Sequence, residues 1–389
     1  MKHSAKKKIL HITNWYPNQE AEKEALWIRE HIASLEPFFE NEVVHVELKP
    51  GKAFKRRKSL DEGVRSYSFE VPIRSWFLIE LFSTLLLIYV LFAKSELKRV
   101  DLIDFHVAYP LCTHLHRFKK LLGRPVVITE HWSAYHFGFH TTKEWGLRRI
   151  RNIFLKNDVG LITVSDALRK DIENFVGRKL RYYIVPNIIP FEDAYFPGRS
   201  LGEEGQYRFF MVGNWKPPKR PLLALQAFCE VFWRDPSAQL MIGGYGSQVE
   251  EVVAFVKKRE RDADITFLGE MDRNAILGAL QNADAFMLPS DHETFSVVCA
   301  EALSEGVPVI ASKRGGIPEF VNEGNGILVE TNDPKNWSEA LREFVRRKEN
   351  GHFDPRRISE DARKRFGKDR VGELYRSVLE QEMAKFHRT

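Results

Sequence analysis

Glu293 and Glu301 stand eight residues apart in the segment Asp291–Phe320, DHETFSVVCAEALSEGVPVIASKRGGIPEF. Val297, Val298, Ala300, Ala302 and Leu303 are apolar and predict a helix that begins near Ser296. Glu293 then lies in the loop before the helix and Glu301 one turn into it. The N–H groups of Phe295, Ser296 and Val297 lack partners inside such a helix, and a helix start of this kind binds phosphate well. The segment thus offers an anion site flanked by two carboxylates. A nucleotide diphosphate sugar needs that combination: amides for the diphosphate, acids for the sugar and ribose hydroxyls. The same spacing also describes a helix with two surface glutamates, and spacing alone does not choose between them.

The flanks do more. Ala283–Ser290, ADAFMLPS, reads as a buried strand stopped by Pro289, and Gly306–Ser312, GVPVIAS, as a second short strand. Gly315, Gly316, Pro318 and Glu319 follow as a tight turn. On these residues the segment resembles the donor-site signature of the retaining family 4 glycosyltransferases, which have the GT-B fold. The agreement falls at Pro289, Ser290, Glu293, Phe295, Glu301, Ala302, Gly306, Pro308, Val309, Ile310, Ala311, Gly315, Gly316, Pro318 and Glu319, a pattern far more specific than a lone glycine motif. It departs at Ser296, where the family usually has Gly, and at Ser304-Glu305, where a small residue commonly precedes the Gly.

Phe209–Phe228, FFMVGNWKPPKRPLLALQAF, reads as strand, loop and helix. It resembles the family's second donor motif, whose Arg and Lys neutralise the diphosphate. Lys219 falls on the Lys. Asn214, just after Gly213, falls on the Arg, and Arg220 on a Gly. The exchange at 214 removes a bidentate phosphate partner that Lys cannot replace; Arg220 and Lys216 are the candidates to compensate. Gly243, Gly244 and Gly246 in MIGGYGSQVEE permit a tight turn close to a ligand, or are plain turn glycines. ITFLGEMD, Ile265–Asp272, is similar to the family segment whose backbone around Leu268–Met271 holds the base, with Met271 packed on it; a plain strand end with an N-cap at Asp272 fits equally.

In VVITEHWSAYHFG, a buried strand ends on Glu130 and His131. The resemblance implies that His131 reaches the donor sugar, with Trp132 where a Gly or Asp is common. His136 and His140 are poorly spaced to bind a metal together with His131. Asp262 and Asp264 sit in a charged run and read as surface. The largest departure is the first loop, HITNWYPNQEAEKEALWI, which normally has glycines near the donor phosphates; this chain has none between Leu10 and Gly51. ITVSDALRKDI and VPNII also resemble family segments.

These residues need a scaffold. Apolar runs predict strands at Ile9–Thr13, Val43–Leu48, Val100–His106, Val126–Glu130, Gly160–Val164 and Tyr182–Pro186, and again at Tyr207–Gly213, Ala238–Gly243, Ile265–Leu268, Ala285–Leu288 and Val307–Ala311. Helical stretches read at Glu24–Leu35, Ser75–Lys94, Leu111–Leu122, Glu144–Lys156 and Asp166–Phe175, the last capped by Ser165. Such alternation predicts an α/β chain with parallel sheets covered on both faces. The length of 389 residues accommodates two domains. The expectation is GT-B: two Rossmann-like domains facing a central cleft, residues 1–195 on the acceptor side and 196–368 binding the donor. The final helix, within 369–389, is expected to cross back onto the first domain.

Cys112, Cys229 and Cys299 are scattered and read as reduced core thiols of a cytosolic protein. The net charge of +6 is uneven: residues 1–200 hold 32 Lys and Arg against 23 Asp and Glu, leaving 27 against 30 in the rest. The densest basic cluster, Lys52, Lys55, Arg56, Arg57 and Lys58, reads as a solvated loop or as a contact for anionic lipid or a phosphorylated acceptor. No recognition motif points to nucleic acid. Trp76–Ala93 is largely apolar with one charge, Glu80, and with Ser83 and Thr84 it favours a buried core helix over one on a membrane surface, with a true span last. Taken together, the expected activity is retaining transfer of a sugar from a nucleotide diphosphate sugar to a glycan or lipid-linked acceptor, without metal or other cofactor, in the cytoplasm or on the inner face of the membrane. A non-catalytic nucleotide-sugar-binding subunit and a nucleotide-sugar epimerase are the rival readings.

Overall fold

A computed structural model of the chain describes residues 6–16, 25–45, 55–61, 64–70, 81, 84–85, 88, 100–139, 143–191, 206–259 and 264–388. The chain forms two compact units, one of Met1–Ile188 with Lys368–Thr389, the other of Ile189–Gly367.

The first unit carries strands β1 (Lys8–Thr13), β2 (Glu40–His45), β3 (Lys55–Asp61), β4 (Val64–Glu70), β5 (Leu102–His106), β6 (Val126–Glu130), β7 (Gly160–Thr163) and β8 (Tyr182–Ile184). They pair in the order β3-β4-β2-β1-β5-β6-β7-β8. Every pairing is parallel except β3 with β4. The central strands β5 and β6 are buried at every residue, as parallel strands covered on both faces must be. The basic residues Lys55–Lys58 form part of strand β3 and not a loop. Their sequence has no apolar alternation; pairing with β4 makes the strand. A sheet edge rich in Lys and Arg is a common guard against pairing with another chain. Trp76–Ala93 lies outside the described residues apart from Leu81, Thr84, Leu85 and Ile88. Among the described residues no helix is long and apolar enough to cross a membrane.

The last helix, Lys368–Phe386, belongs to this unit. Val371, Tyr375, Val378, Leu379 and Met383 join one core with Ile9, Leu102, Val127 and Ile162. Gly372 lets it approach the helix Leu26–Ser34, since a Cβ there would come 2.7 Å from the Ser34 carbonyl oxygen. The Ser165 hydroxyl accepts from Leu168 N at 3.0 Å and caps the helix Asp166–Val176.

The second unit holds β9 (Tyr207–Asn214), β10 (Ala238–Tyr245), β11 (Asp264–Gly269), β12 (Ala285–Leu288), β13 (Val309–Ser312) and β14 (Gly326–Val329). All pair in parallel in the order β11-β10-β9-β12-β13-β14. Phe209 and Met211 of β9 pack into a core with Phe228, Phe232, Trp337, Leu341 and Phe344 of the helices on one side. The alternate residue, Phe210, meets Phe286 of β12. Sequence reading does not mark β14, whose GILV is short and begins with Gly. From β9 the chain runs outward through β10 to β11, then returns past β9 to β12 and continues outward the other way. The crevice beyond the carboxyl ends of β9 and β12 is therefore a topological switch point, where sheets of this kind bind ligands.

Candidate functional site

Two loops leave β9 and β12 at that switch point, and the backbone zips them together. Lys219 and Ser290 form an isolated antiparallel bridge, Arg220 N donates to the Pro289 carbonyl at 3.0 Å, and Asp291 N donates to that of Pro218 at 2.9 Å. The zipped loops bring Lys219 Nζ onto Glu293 Oε1 in a charge-assisted hydrogen bond. Both side chains are largely buried, at 18% and 12% exposure. Gly315 and Gly316 hold Glu293 from behind. Gly316 N donates to the Glu293 carbonyl at 2.8 Å. Gly315 sits at φ 57°, and a Cβ there would fall 1.8 Å from the same oxygen. The paired glycines are thus a clasp on the Glu293 backbone. Ser290 braces the same loop: its hydroxyl donates to the His292 carbonyl at 2.9 Å, and its N–H to Ser312 Oγ at 3.0 Å.

The helix runs Val297–Ser304, with Ser296 as its N-cap residue at φ 76°, ψ 83°. The Ser296 side chain makes no capping bond. This is a conformation that Gly takes without strain and Ser does not. Phe295 packs against Phe320 and Phe366 at 5.2 and 5.3 Å between ring centroids and is buried, so only its backbone can serve a ligand. Cys299 is buried with its thiol pushed up to about 12 by burial, which makes it a core residue. Glu301 lies one turn into the helix. Burial pushes its carboxyl up to about 7, while Arg273 pulls it back and Glu305 adds to the rise. Arg273 Nη2 stands 3.9 Å from Glu301 Oε1 and donates to the Pro190 carbonyl at 2.7 Å. Nothing in the local sequence marks Arg273, which begins a helix capped by Asp272.

Gly213, Asn214, Gly243 and Gly244 stand side by side at the ends of β9 and β10. Trp215, absent from the sequence-based site, organises them. It is fully buried, and its Nε1 donates to the Gly243 carbonyl at 2.9 Å. A Cβ at Gly244, φ 127°, would come 2.1 Å from the Gly213 carbonyl oxygen, and one at Gly243 would come 2.2 Å from Met271 Sδ. Met271 therefore packs over the backbone end of β10, while Leu268 on β11 is 40% exposed. Arg220 is engaged by Asp291 at 3.0 Å.

His131 belongs to the other unit, at the end of β6. Glu130 before it accepts from Ala108 N and Tyr135 Oη, each at 2.7 Å, and from His131 N at 3.2 Å. The His131 ring is buried among His31, His106 and Trp27, with centroids at 5.5, 5.9 and 6.5 Å. Neither ring nitrogen has a hydrogen-bond partner among the described residues. Burial, with His31 and His106 beside it, holds this imidazole well below its usual range, so it is neutral near pH 7. His140 and Asp262 lie outside the described residues.

Residues 197–365 match the family described as Glycosyl transferases group 1, and residues 40–193 match Glycosyltransferase Family 4. Among curated proteins, the chain is 31% identical over 206 residues to D-inositol 3-phosphate glycosyltransferase of Corynebacterium jeikeium, covering 48% of this chain and 49% of that one. It is 27% identical to N-acetyl-alpha-D-glucosaminyl L-malate synthase of Bacillus anthracis, covering 73% and 75%. The chain thus spans about half the length of the first of these relatives. Among solved structures, HepE of Anabaena in complex with UDP and glucose superposes with a TM-score of 0.70 at 16% identity, covering 96% of this chain and all of that one. The lipopolysaccharide outer core galactosyltransferase WaaB superposes at 0.72 and 17%, covering 96% and 99%. At these identities the superpositions speak to the fold alone.

Proposed function

The chain belongs to the group 1 glycosyltransferases with the GT-B fold, and on that premise we propose that it transfers a sugar, with retention, from a nucleotide diphosphate sugar to an acceptor hydroxyl. The observation that carries this reading is the Lys219–Glu293 pair, held at the switch point of the second sheet by the Gly315–Gly316 clasp. A diphosphate entering there meets the Lys219 ammonium and the amides of Phe295, Ser296 and Val297, which oppose the negative charge that grows on the leaving group. Glu293, released from Lys219 by the incoming phosphate, accepts from the sugar hydroxyls. Glu301 takes the ribose diol. Gly213, Asn214, Gly244, Leu268 and Met271 line the side where base and diphosphate backbone lie. His131 keeps the role the resemblance implies, a hydrogen bond to the sugar. Lys219 and amides supply the positive charge that a metal would otherwise bring, so the transfer is metal-independent. The leaving phosphate takes the acceptor's proton on the front face, and no separate base is needed.

For the acceptor we propose a lipid-linked or membrane-surface glycan, used at the inner face of the cell membrane. The uneven charge supports it, with 32 Lys and Arg against 23 Asp and Glu in residues 1–200. Anionic vesicles should sediment the protein at low salt, and neutralising Lys55–Lys58 should abolish this.

The function test is a thermal-shift panel of UDP, GDP, ADP and their sugars without added metal. Saturation at a hundred times Kd stabilises by about 2.7 kcal/mol. One clear responder, followed by its turnover in wild type and none in Glu293→Ala, establishes the enzyme. Binding without turnover favours the non-catalytic reading, and no binding removes both.

A further inference from the structure

We propose that the first unit holds a zinc-class divalent ion between His11 Nδ1, His106 Nε2 and Asp104 Oδ2, on the paired strands β1 and β5. The three atoms form a nearly equilateral triangle. His11 Nδ1 stands 3.2 Å from His106 Nε2, and each is 3.4 Å from Asp104 Oδ2. Ligands bonded to tetrahedral zinc at about 2.0–2.1 Å stand roughly 3.3–3.4 Å from one another. All three side chains are fully buried.

Hydrogen bonds from outside orient the ligand atoms of this triangle. Asn41 Nδ2 donates to the Ile32 carbonyl at 3.5 Å, which turns Oδ1 toward His11 Nε2 at 3.2 Å. Donation from His11 Nε2 to that oxygen leaves a bare lone pair at Nδ1 toward the triangle, the orientation that outer hydrogen bonds give metal-binding histidines. Asp104 is fixed in the same way. Its Oδ1 accepts from Thr129 Oγ1 at 2.8 Å, and its Oδ2 accepts from Tyr375 Oη, keeping a further lone pair toward the triangle. Three ligand atoms thus converge on one buried point. A divalent ion satisfies all three.

The ion would act as a brace. It would tie β1 to β5 and, through Asp104, to Tyr375 of the final helix. His106 stacks on His131 at 5.9 Å and 11° between planes, so fixing His106 also fixes the wall against which His131 rests. This site belongs to the first unit, whereas Lys219 and Glu293 belong to the second, so it leaves the metal-free charge balance at the diphosphate unchanged.

The full chain should be produced and refolded with zinc present, dialysed against a weak chelator and subjected to elemental analysis. About one zinc per chain is expected, with cobalt in its place giving the intense visible bands of tetrahedral coordination. His11→Asn and His106→Asn should lose the ion, while His31→Asn, which alters a neighbouring ring outside the triangle, should keep it. Should the triangle variants fail to fold, anomalous scattering at the zinc edge from wild-type crystals decides, with a peak among the three atoms supporting the site. Zinc below a tenth of an equivalent in folded wild type, zinc retained equally in both triangle variants, or an anomalous map without a peak there would overturn it.

Discussion

Lys219 and Glu293 join across 74 residues of sequence, and each is the other's charge partner in a largely buried setting. Glu293→Gln keeps the shape and removes the charge. Turnover is expected to fall about 10²–10³-fold with nucleotide affinity nearly unchanged, the mark of an interaction made in the transition state. Lys219→Met leaves Glu293 without its partner and should also destabilise the fold by about 1–3 kcal/mol. Steady-state kinetics and urea unfolding separate the two effects. Equal loss of nucleotide binding in Glu293→Gln would count against its place at the sugar end.

Gly315→Ala tests the clasp. A methyl group placed 1.8 Å from the Glu293 carbonyl forces the loop before the helix to move. A misplacement near 1 Å costs about 100-fold in rate. We expect that loss with far-UV circular dichroism unchanged, and wild-type kinetics in Gly315→Ala would show that the clasp does not set Glu293.

Glu301 predicts a pH dependence with a definite sign. Its folded carboxyl is raised to about 7 from 4.5. The native state then binds more protons than the unfolded chain between these values. The stabilisation is fully present below about pH 4.5 and is lost as pH rises through about 7. Glu301→Gln should flatten the slope of the urea midpoint across that window. A ribose diol favours the charged carboxylate, so nucleotide binding near pH 6 should release protons in wild type and none in Glu301→Gln. Calorimetry in buffers of differing ionisation enthalpy measures this directly.

Ser296 sits at φ 76° without capping its helix. Relieving a left-handed conformation is worth roughly 1–2 kcal/mol, part of which the extra freedom of glycine in the unfolded chain takes back. Ser296→Gly should therefore raise stability by about 1 kcal/mol in urea unfolding. No change would mean that the surrounding loop, and not the residue, sets the angle.

The paired loops of the second unit are legible because their residues are local. Glu293, Phe295, Glu301, Gly315 and Gly316 lie within one strand–helix–strand stretch, and the apolar runs around them are unambiguous. Ser165 and Asp272 announced their capped helices from residue type alone, and both cap as expected. What escaped was non-local. Trp215 looks like a loop aromatic until β10 supplies the Gly243 carbonyl for its indole. Arg273 reaches Glu301 only once two helices are packed. Strand β3 is made by its partner and not by its own composition. The triangle of His11, Asp104 and His106 needs β1 and β5 side by side, although 93 residues separate His11 from Asp104 in the chain.

The final helix returns the chain to the unit in which it began, so residues 189–367 are an insertion with both ends at one place. Ile189 N donates to the Phe366 carbonyl at 3.0 Å, joining the first and penultimate residues of that insertion. Such a segment is a cassette: it can be excised and its gap closed with a short linker, or exchanged for the same segment of a relative. Under the proposed function, nucleotide preference would travel with the cassette, while whatever the first unit recognises would stay behind.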